Sequence, residues 1–279
     1  MKPMILEARD ITKSFGRKVV LHEVNLRMEK GQSIALLGNN GTGKSTLLRI
    51  LCGLSNPTKG KVITQEQIKF HYIPEHFPKL NFTAAEYIKH MGRLEGLSEQ
   101  ETKEKSEELY QEFYMESMLD TPIKHLSKGT LQKVAVIQAL LSKPDILLMD
   151  EPLSGQDMQS QQNFIRRIKE LKQEGVSILM SCHEKFLVNQ LSDTAYRIVK
   201  GKLVAEKIED TRYSEYDLLT FQKGRPSESV PQNLHSLLVR VEEKDDSIKI
   251  VVQKDRSNRI VKDMLAEGFI LKEMRGMSE

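Results

Sequence analysis

The hydrophobic positions of this chain change their spacing repeatedly, and each change marks an element. Ile5–Ile11 and Val19–Met28 alternate apolar and polar residues, as strands of an N-terminal sheet do, with polar turns between them. Ser33-Ile34-Ala35-Leu36-Leu37 is instead a short apolar run of the kind found in a buried strand. Thr46–Gly53 has helical character and a terminating glycine, and Ile68–Ile73 reads as a further strand stopped by Pro74. From Phe82 to Ser142 the pattern is helical. Ser98-Glu99-Gln100-Glu101 forms a capping box ahead of a strongly charged helix predicted to run to roughly Leu119, and Thr130–Leu141 is a second, far more apolar helix. Strands and helices then alternate: Ile146–Met149, Gln159–Gln173, Ser177–Ser181, Lys185–Leu191 and Thr194–Val199. Such alternation predicts an α/β fold with a parallel sheet covered by helices.

The character changes near Lys207. We expect a main domain over 1–210, a linker over 211–232 with Ser227–Pro231 at its heart, and a small α+β domain over 233–279. In that tail Leu237–Glu242 and Ser247–Val252 are strand-like, Ser257–Glu267 is helix-like and Gly268–Lys272 returns to strand. It carries no chemical motif, so packing or dimerisation is its expected role.

A chain of 279 residues can bury a large core, and its net charge of +3 is too small to imply a polyanionic partner. No basic block with interleaved aromatics is present, so nucleic acid is not expected as a partner. Cys52 and Cys182 lack metal-type spacing and read as core thiols. No apolar stretch approaches the ~20 residues of a membrane span. Glu7, Arg9 and Asp10 stand where a leader peptide would be apolar. A cytosolic protein is the expectation.

Three stretches carry chemistry. Gly38-Asn39-Asn40-Gly41-Thr42-Gly43-Lys44-Ser45-Thr46 matches G-x-x-x-x-G-K-[ST], between a predicted strand and a predicted helix. Unpaired N–H groups and the helix dipole then both point at a phosphate, the lysine reaches it, and the Ser45 hydroxyl can reach Mg²⁺. Ile146–Met149 leads into Asp150-Glu151, which sets two carboxylates at the end of a buried strand, where ligands sit in α/β sheets. Asp150 would hold Mg²⁺, directly or through water, and Glu151 would be the general base for an attacking water. His183 follows the strand Ser177–Ser181. By residue chemistry alone it is equally a catalytic group or an ordinary polar side chain.

In order, the chain also offers Phe15 in Ser14-Phe15-Gly16, the motif Leu126-Ser127-Lys128-Gly129-Thr130, and Ser154-Gly155-Gln156-Asp157. Over roughly residues 1 to 207 this series resembles the ATP-binding subunits of ATP-binding cassette (ABC) transporters. The resemblance implies a P-loop core: a mixed sheet with helices, an N-terminal antiparallel sheet, and a helical subdomain at about 76–143. It makes Phe15 the platform for adenine, 38–46 the Walker A loop, Ser127 and Gly129 the signature contacts, Asp157 the D-loop acid and His183 the switch histidine. ATP and Mg²⁺ are the implied cofactors. A second cassette, homo- or heterodimeric, and a separate membrane permease are the implied partners, with the chain attached to the cytoplasmic membrane face through that permease. Ser127 and Gly129 of one copy would contact the γ-phosphate held by Lys44 of the other.

Two positions depart from the family pattern. Lys128 and Thr130 stand where glycine and glutamine are commonest, and Glu75 in Tyr72-Ile73-Pro74-Glu75 stands where the family has glutamine. Glu75 can still ligate Mg²⁺, at the cost of added negative charge. His76–Phe82, with Phe77 and Phe82 expected at the surface, is the expected docking loop for a permease helix. The function implied is ATP hydrolysis that powers a permease, in the manner of small bacterial exporters. The competing readings are a soluble cassette without a permease and a regulatory cassette that binds ATP without hydrolysing it. Lys44 and Ser127 lie only 83 positions apart, which leaves no room for the long coiled coils of DNA-maintenance cassettes.

Overall fold

The structure, a computed structural model, describes residues 3–208, 216–224, 229–244 and 246–276. The chain divides into two compact units, Met1–Ile208 and Glu209–Glu279.

In the first unit, β1 (Met4–Phe15), β2 (Lys18–Glu29) and β4 (Lys59–Thr64) form an antiparallel sheet ordered β2-β1-β4. A six-stranded sheet ordered β5-β6-β7-β3-β8-β9 lies beside it. Its strands are β3 (Ser33–Leu37), β5 (Phe70–Ile73), β6 (Ile146–Asp150), β7 (Ser177–Ser181), β8 (Thr194–Val199) and β9 (Lys202–Glu206). All neighbours are parallel except β8 and β9. β6 and β7 are buried at every position, as expected of central parallel strands whose faces are both covered. β4 and β9, rich in lysine and glycine or at a sheet edge, carry too little apolar patterning to be read from sequence.

α1 (Lys44–Leu51) follows β3 directly. It ends where Gly53, at φ 77°, takes the left-handed conformation and donates to Ile50 O. α2 (Ala84–Leu94), α3 (Glu99–Glu112) and α4 (Lys128–Leu140) make the helical layer. α2 and α3 each open on a complete capping box, at Thr83/Glu86 and Ser98/Glu101, worth about 1 kcal/mol for the cap alone. The charged helix expected to reach Leu119 stops at Glu112 instead. Tyr114 adopts φ 55°, which no α-helix can contain, and the chain continues through a 3₁₀ turn at Glu116–Met118. One hydrophobic cluster joins this layer to the sheet, from Ile88, Phe113 and Val136 to Leu147 and Met180. Phe77 belongs to it: only 9% exposed, it meets Tyr87 edge-on at 5.3 Å. Its expected surface position is therefore corrected. Proline-broken sequence does not reveal that a loop folds back onto α2. Phe82 does stand at the surface, packed on His90. α5 (Met158–Gln173) and α6 (Lys185–Leu191) complete the unit.

The second unit is an antiparallel sheet ordered β11-β12-β10-β13, built from β10 (Tyr216–Gln222), β11 (Leu238–Glu243), β12 (Ser247–Gln253) and β13 (Ile270–Gly276), with α7 (Ser257–Ala266). The expected linker over 211–232 is corrected by β10, which runs between β12 and β13. Asp217, Leu219 and Phe221 alternate inward, a period-2 signal that lies hidden among polar neighbours. Of the stretch placed at the heart of that linker, Ser227 and Glu228 lie outside the described residues.

Candidate functional site

The loop between β3 and α1 is shaped by its glycines. Gly43, the N-cap of α1, sits at φ 108°, and a Cβ there would lie 2.9 Å from Val20 Cγ1 on β2. A side chain is excluded twice, by conformation and by space. Among the described residues no side chain caps α1, and no acidic residue occupies its first turn, so its first N–H groups are left for a ligand. α4 and α5 differ: Ser127 and Asp157 cap them through Thr130 N and Ser160 N.

An open cavity of about 380 Å³ lies over this loop, lined by Asn40, Gly41, Lys44, Ser45, Glu75 and Glu151 among others, Thr46 and Gly43 included. That volume is within the range of small-molecule sites. Lys44, 5% exposed, donates from Nζ to Gly38 O at 2.7 Å and approaches Asn39 O at 3.4 Å and Glu151 Oε1 at 3.6 Å. A buried ammonium held by carbonyls and one carboxylate is a cation prepared for an anion. Thr42 turns inward on the loop and donates from Oγ1 to Asn39 O.

Three hydroxyls from three elements converge on Asp150, which is 1% exposed. Ser45 Oγ donates to Oδ1 at 3.0 Å, Ser181 Oγ donates to the same oxygen at 2.5 Å, and Tyr72 OH donates to Oδ2 at 3.2 Å. Hard oxygen donors at a helix N-terminus suit Mg²⁺, which takes one or two protein oxygens and completes its shell with phosphate and water. Ser45 and Asp150 present oxygens of that kind, and Glu75 lines the same cavity as Ser45.

Glu151 adopts φ 48°, a left-handed backbone that costs on the order of 1 kcal/mol in a residue other than glycine. Its N–H is held by Ser181 O at 3.1 Å and Ser181 Oγ at 3.2 Å. Burial holds its carboxyl above the ordinary carboxylate range. His183 and Lys44 pull it down, while Glu184 and Asp150 push it further up. His183 Nε2 lies 3.0 Å from Glu151 Oε1 and 2.9 Å from Asn40 Oδ1. The hydrogen bond runs to Asn40 Oδ1, while Glu151 Oε1 is buried without a hydrogen-bond partner among the described residues. Cys182 between them is buried, its thiol pushed up to about 12 by burial. It is inert packing.

Four other expected site residues are elsewhere. Phe15 stands 57% exposed beside Lys13 Nζ at 5.1 Å, and does not line the cavity. Ser127 Oγ is 2.8 Å from Thr130 Oγ1, and Gly129 packs so closely on the 154–157 loop that a Cβ would lie 2.1 Å from Gly155 O. Asp157 pairs with Lys133 at 2.8 Å and binds Ser160. The Lys133 hydrogen bond foremost holds its carboxyl well below the usual range. Within one chain these residues therefore do not meet the cavity. Tyr72 and Ser181 stand behind it, bonded to Asp150. Their only sequence signal is a hydroxyl on a strand whose C-terminal end faces the phosphate loop.

The family model described as ABC transporter matches residues 21–154. A zinc import ATP-binding protein, ZnuC of Rickettsia bellii, is 32% identical over 194 residues, 69% of this chain and 82% of that protein. The uncharacterized ABC transporter ATP-binding protein MJ1023 of Methanocaldococcus jannaschii is 33% identical over 259 residues, covering 91% of this chain and 96% of its own. That match extends beyond Ile208, so the likeness to MJ1023 includes residues of the second unit. A solved structure described as the ATP-binding subunit of an ABC transporter is 29% identical, with a TM-score of 0.67 over 75% of this chain and 92% of that one. The phosphate loop, the acidic pair at the end of β6 and these likenesses converge: the chain belongs to the ABC transporter family, as an ATP-binding subunit and ATPase.

Proposed function

We propose that this chain hydrolyses ATP with Mg²⁺ as one half of a cassette dimer and drives a separate membrane permease from the cytoplasmic face. The observation that carries the reading is that Lys44, Ser45 and Glu151 line one cavity, with Asp150 bonded to Ser45 and His183 3.0 Å from Glu151. Gly38–Thr46 would wrap the phosphates with backbone N–H groups, and Lys44 would neutralise them. Bound Mg²⁺ would supply charge neutralisation at the phosphates, held by Ser45 and Asp150 with Glu75 beside them. Glu151 would take the proton of the attacking water, and His183, 3.0 Å from Glu151 Oε1, would steady the charge that develops. Phe15, exposed at the end of β1, is suited to stack on adenine. Ser127 and Gly129 would close on the nucleotide of the second copy, with Asp157 holding the adjoining loop in shape through Lys133.

No helix among the described residues is long and apolar enough to cross a membrane. The Lys128-Gly129 signature and the Pro74-Glu75 loop favour export. Import is the second reading, favoured by the likeness to a zinc import ATP-binding protein. Co-purification from detergent-solubilised membranes with an integral membrane protein is expected, and recovery only as a free soluble ATPase would overturn the permease. Glu75→Ala is expected to weaken Mg²⁺-dependent hydrolysis and transport together. Both unchanged would remove Glu75 from the metal site.

The pH dependence follows from Glu151. A base works only when ionised, and this carboxyl is held up by burial. Turnover should therefore rise through an acid limb centred above the ~4.3 of an ordinary glutamate. An acid limb at or below that value, in stopped assays on the purified chain, would contradict the assignment. The stability sign is opposite: because the folded value is raised, this residue's contribution falls as pH climbs past the unfolded value.

A further inference from the structure

Ser181 lies on β7, two residues before His183, and is fully buried. Its hydroxyl donates to Asp150 Oδ1 at 2.5 Å and accepts from Glu151 N–H at 3.2 Å, while its carbonyl accepts from the same N–H at 3.1 Å. One side chain thus joins the carboxylate suited to the metal to the backbone of the carboxylate suited to the water. Glu151 is the residue on that pair whose backbone is left-handed, so it needs to be held there by something outside its own strand. β6 and β7 are parallel neighbours with Asp150 opposite Ser181, and this register brings the two together. Tyr72, on the strand at the other side of β6, completes the arrangement by donating to Asp150 Oδ2 at 3.2 Å.

We propose that Ser181 is a positioning residue that locks Asp150 and Glu151 into one geometry, with Tyr72 fixing the second oxygen of Asp150. Ser45 also donates to Asp150 Oδ1. When Ser45 turns its oxygen to a metal, Ser181 and Tyr72 remain as the hydroxyls that hold the carboxylate still. Neither touches the reacting atoms. They act as the outer partners that orient metal-holding groups do, where loss typically costs ~10–100-fold in metal affinity or activity.

This inference rests on the proposed ATPase reading, so the wild-type chain is assayed first. A wild type without Mg²⁺-dependent turnover defeats the reading itself. With turnover established, Ser181→Ala is expected to lower kcat ~10–100-fold and to weaken Mn²⁺ binding to the ADP complex, followed by electron paramagnetic resonance. Its affinity for metal-free ADP should be unchanged. Ser181→Thr, which keeps the hydroxyl, should restore most of kcat. Tyr72→Phe removes a single oxygen and gives a test independent of whether Ser181→Ala folds: it is expected to raise the Mg²⁺ concentration for half-maximal turnover with little change in melting temperature. Metal binding and kcat within twofold of wild type in a folded Ser181→Ala protein would overturn the role of Ser181. Unchanged metal dependence in Tyr72→Phe would overturn that of Tyr72.

Discussion

Glu151→Gln should leave ATP binding intact and cut turnover by ~10²–10⁴, the range a positioned general base contributes. The substitution keeps volume and hydrogen-bonding capacity at a side chain that contacts Lys44 and His183. It removes the proton acceptor and one buried negative charge crowded by Asp150 and Glu184. ATP affinity should rise, because Lys44 no longer faces a competing carboxylate at 3.6 Å. If two copies close around the nucleotide, the variant should accumulate as an ATP-bound dimer, visible by size-exclusion chromatography with light scattering. Turnover within tenfold of wild type would assign the base elsewhere.

Gly129→Ala is expected to be nearly as damaging, although Gly129 lies outside the phosphate cavity. A methyl group there would sit 2.1 Å from Gly155 O and 3.0 Å from Gly155 C, both backbone atoms. No rotamer can relieve such a contact. Either the start of α4 or the 154–157 loop must move, and overpacking of this kind typically costs ~1–3 kcal/mol. The movement would strain the Lys133–Asp157 pair that joins the same two segments. We expect a lower melting temperature and ATP turnover reduced more than tenfold, with metal-free nucleotide affinity kept because the phosphate loop is untouched. A variant with wild-type melting and turnover would show that these segments do not approach so closely.

The most legible parts of the chain are those where local chemistry and global fold agree. β7, α6 and β8 are predicted at their observed ends because each is bounded by a sharp change of polarity. Gly43 and Lys44 can be read because a helix N-terminus facing phosphate tolerates few other residues. Less legible are contacts between segments far apart in sequence. The Phe77 side chain sits in a core that includes α2 and α4. The linker expected around β10 is a strand because β12 and β13 supply partners on both sides. Asp157 reads as the D-loop acid from its motif, and the motif does not reveal that its oxygens meet Ser160 and Lys133.

By itself, then, the amino-acid order determined the alternating α/β core, the phosphate loop and the acidic pair, because each depends on residues within one turn or one strand. The tertiary structure alone decided which hydroxyls hold Asp150, how Glu151 is kept in a left-handed backbone, and that Gly129 has no room for a methyl group. Those outcomes come from the register of parallel strands and the packing of loops, whose partners lie as many as 105 residues apart at Ser45 and Asp150. Distances of that kind are set by closing the whole sheet, and no short window of sequence contains them.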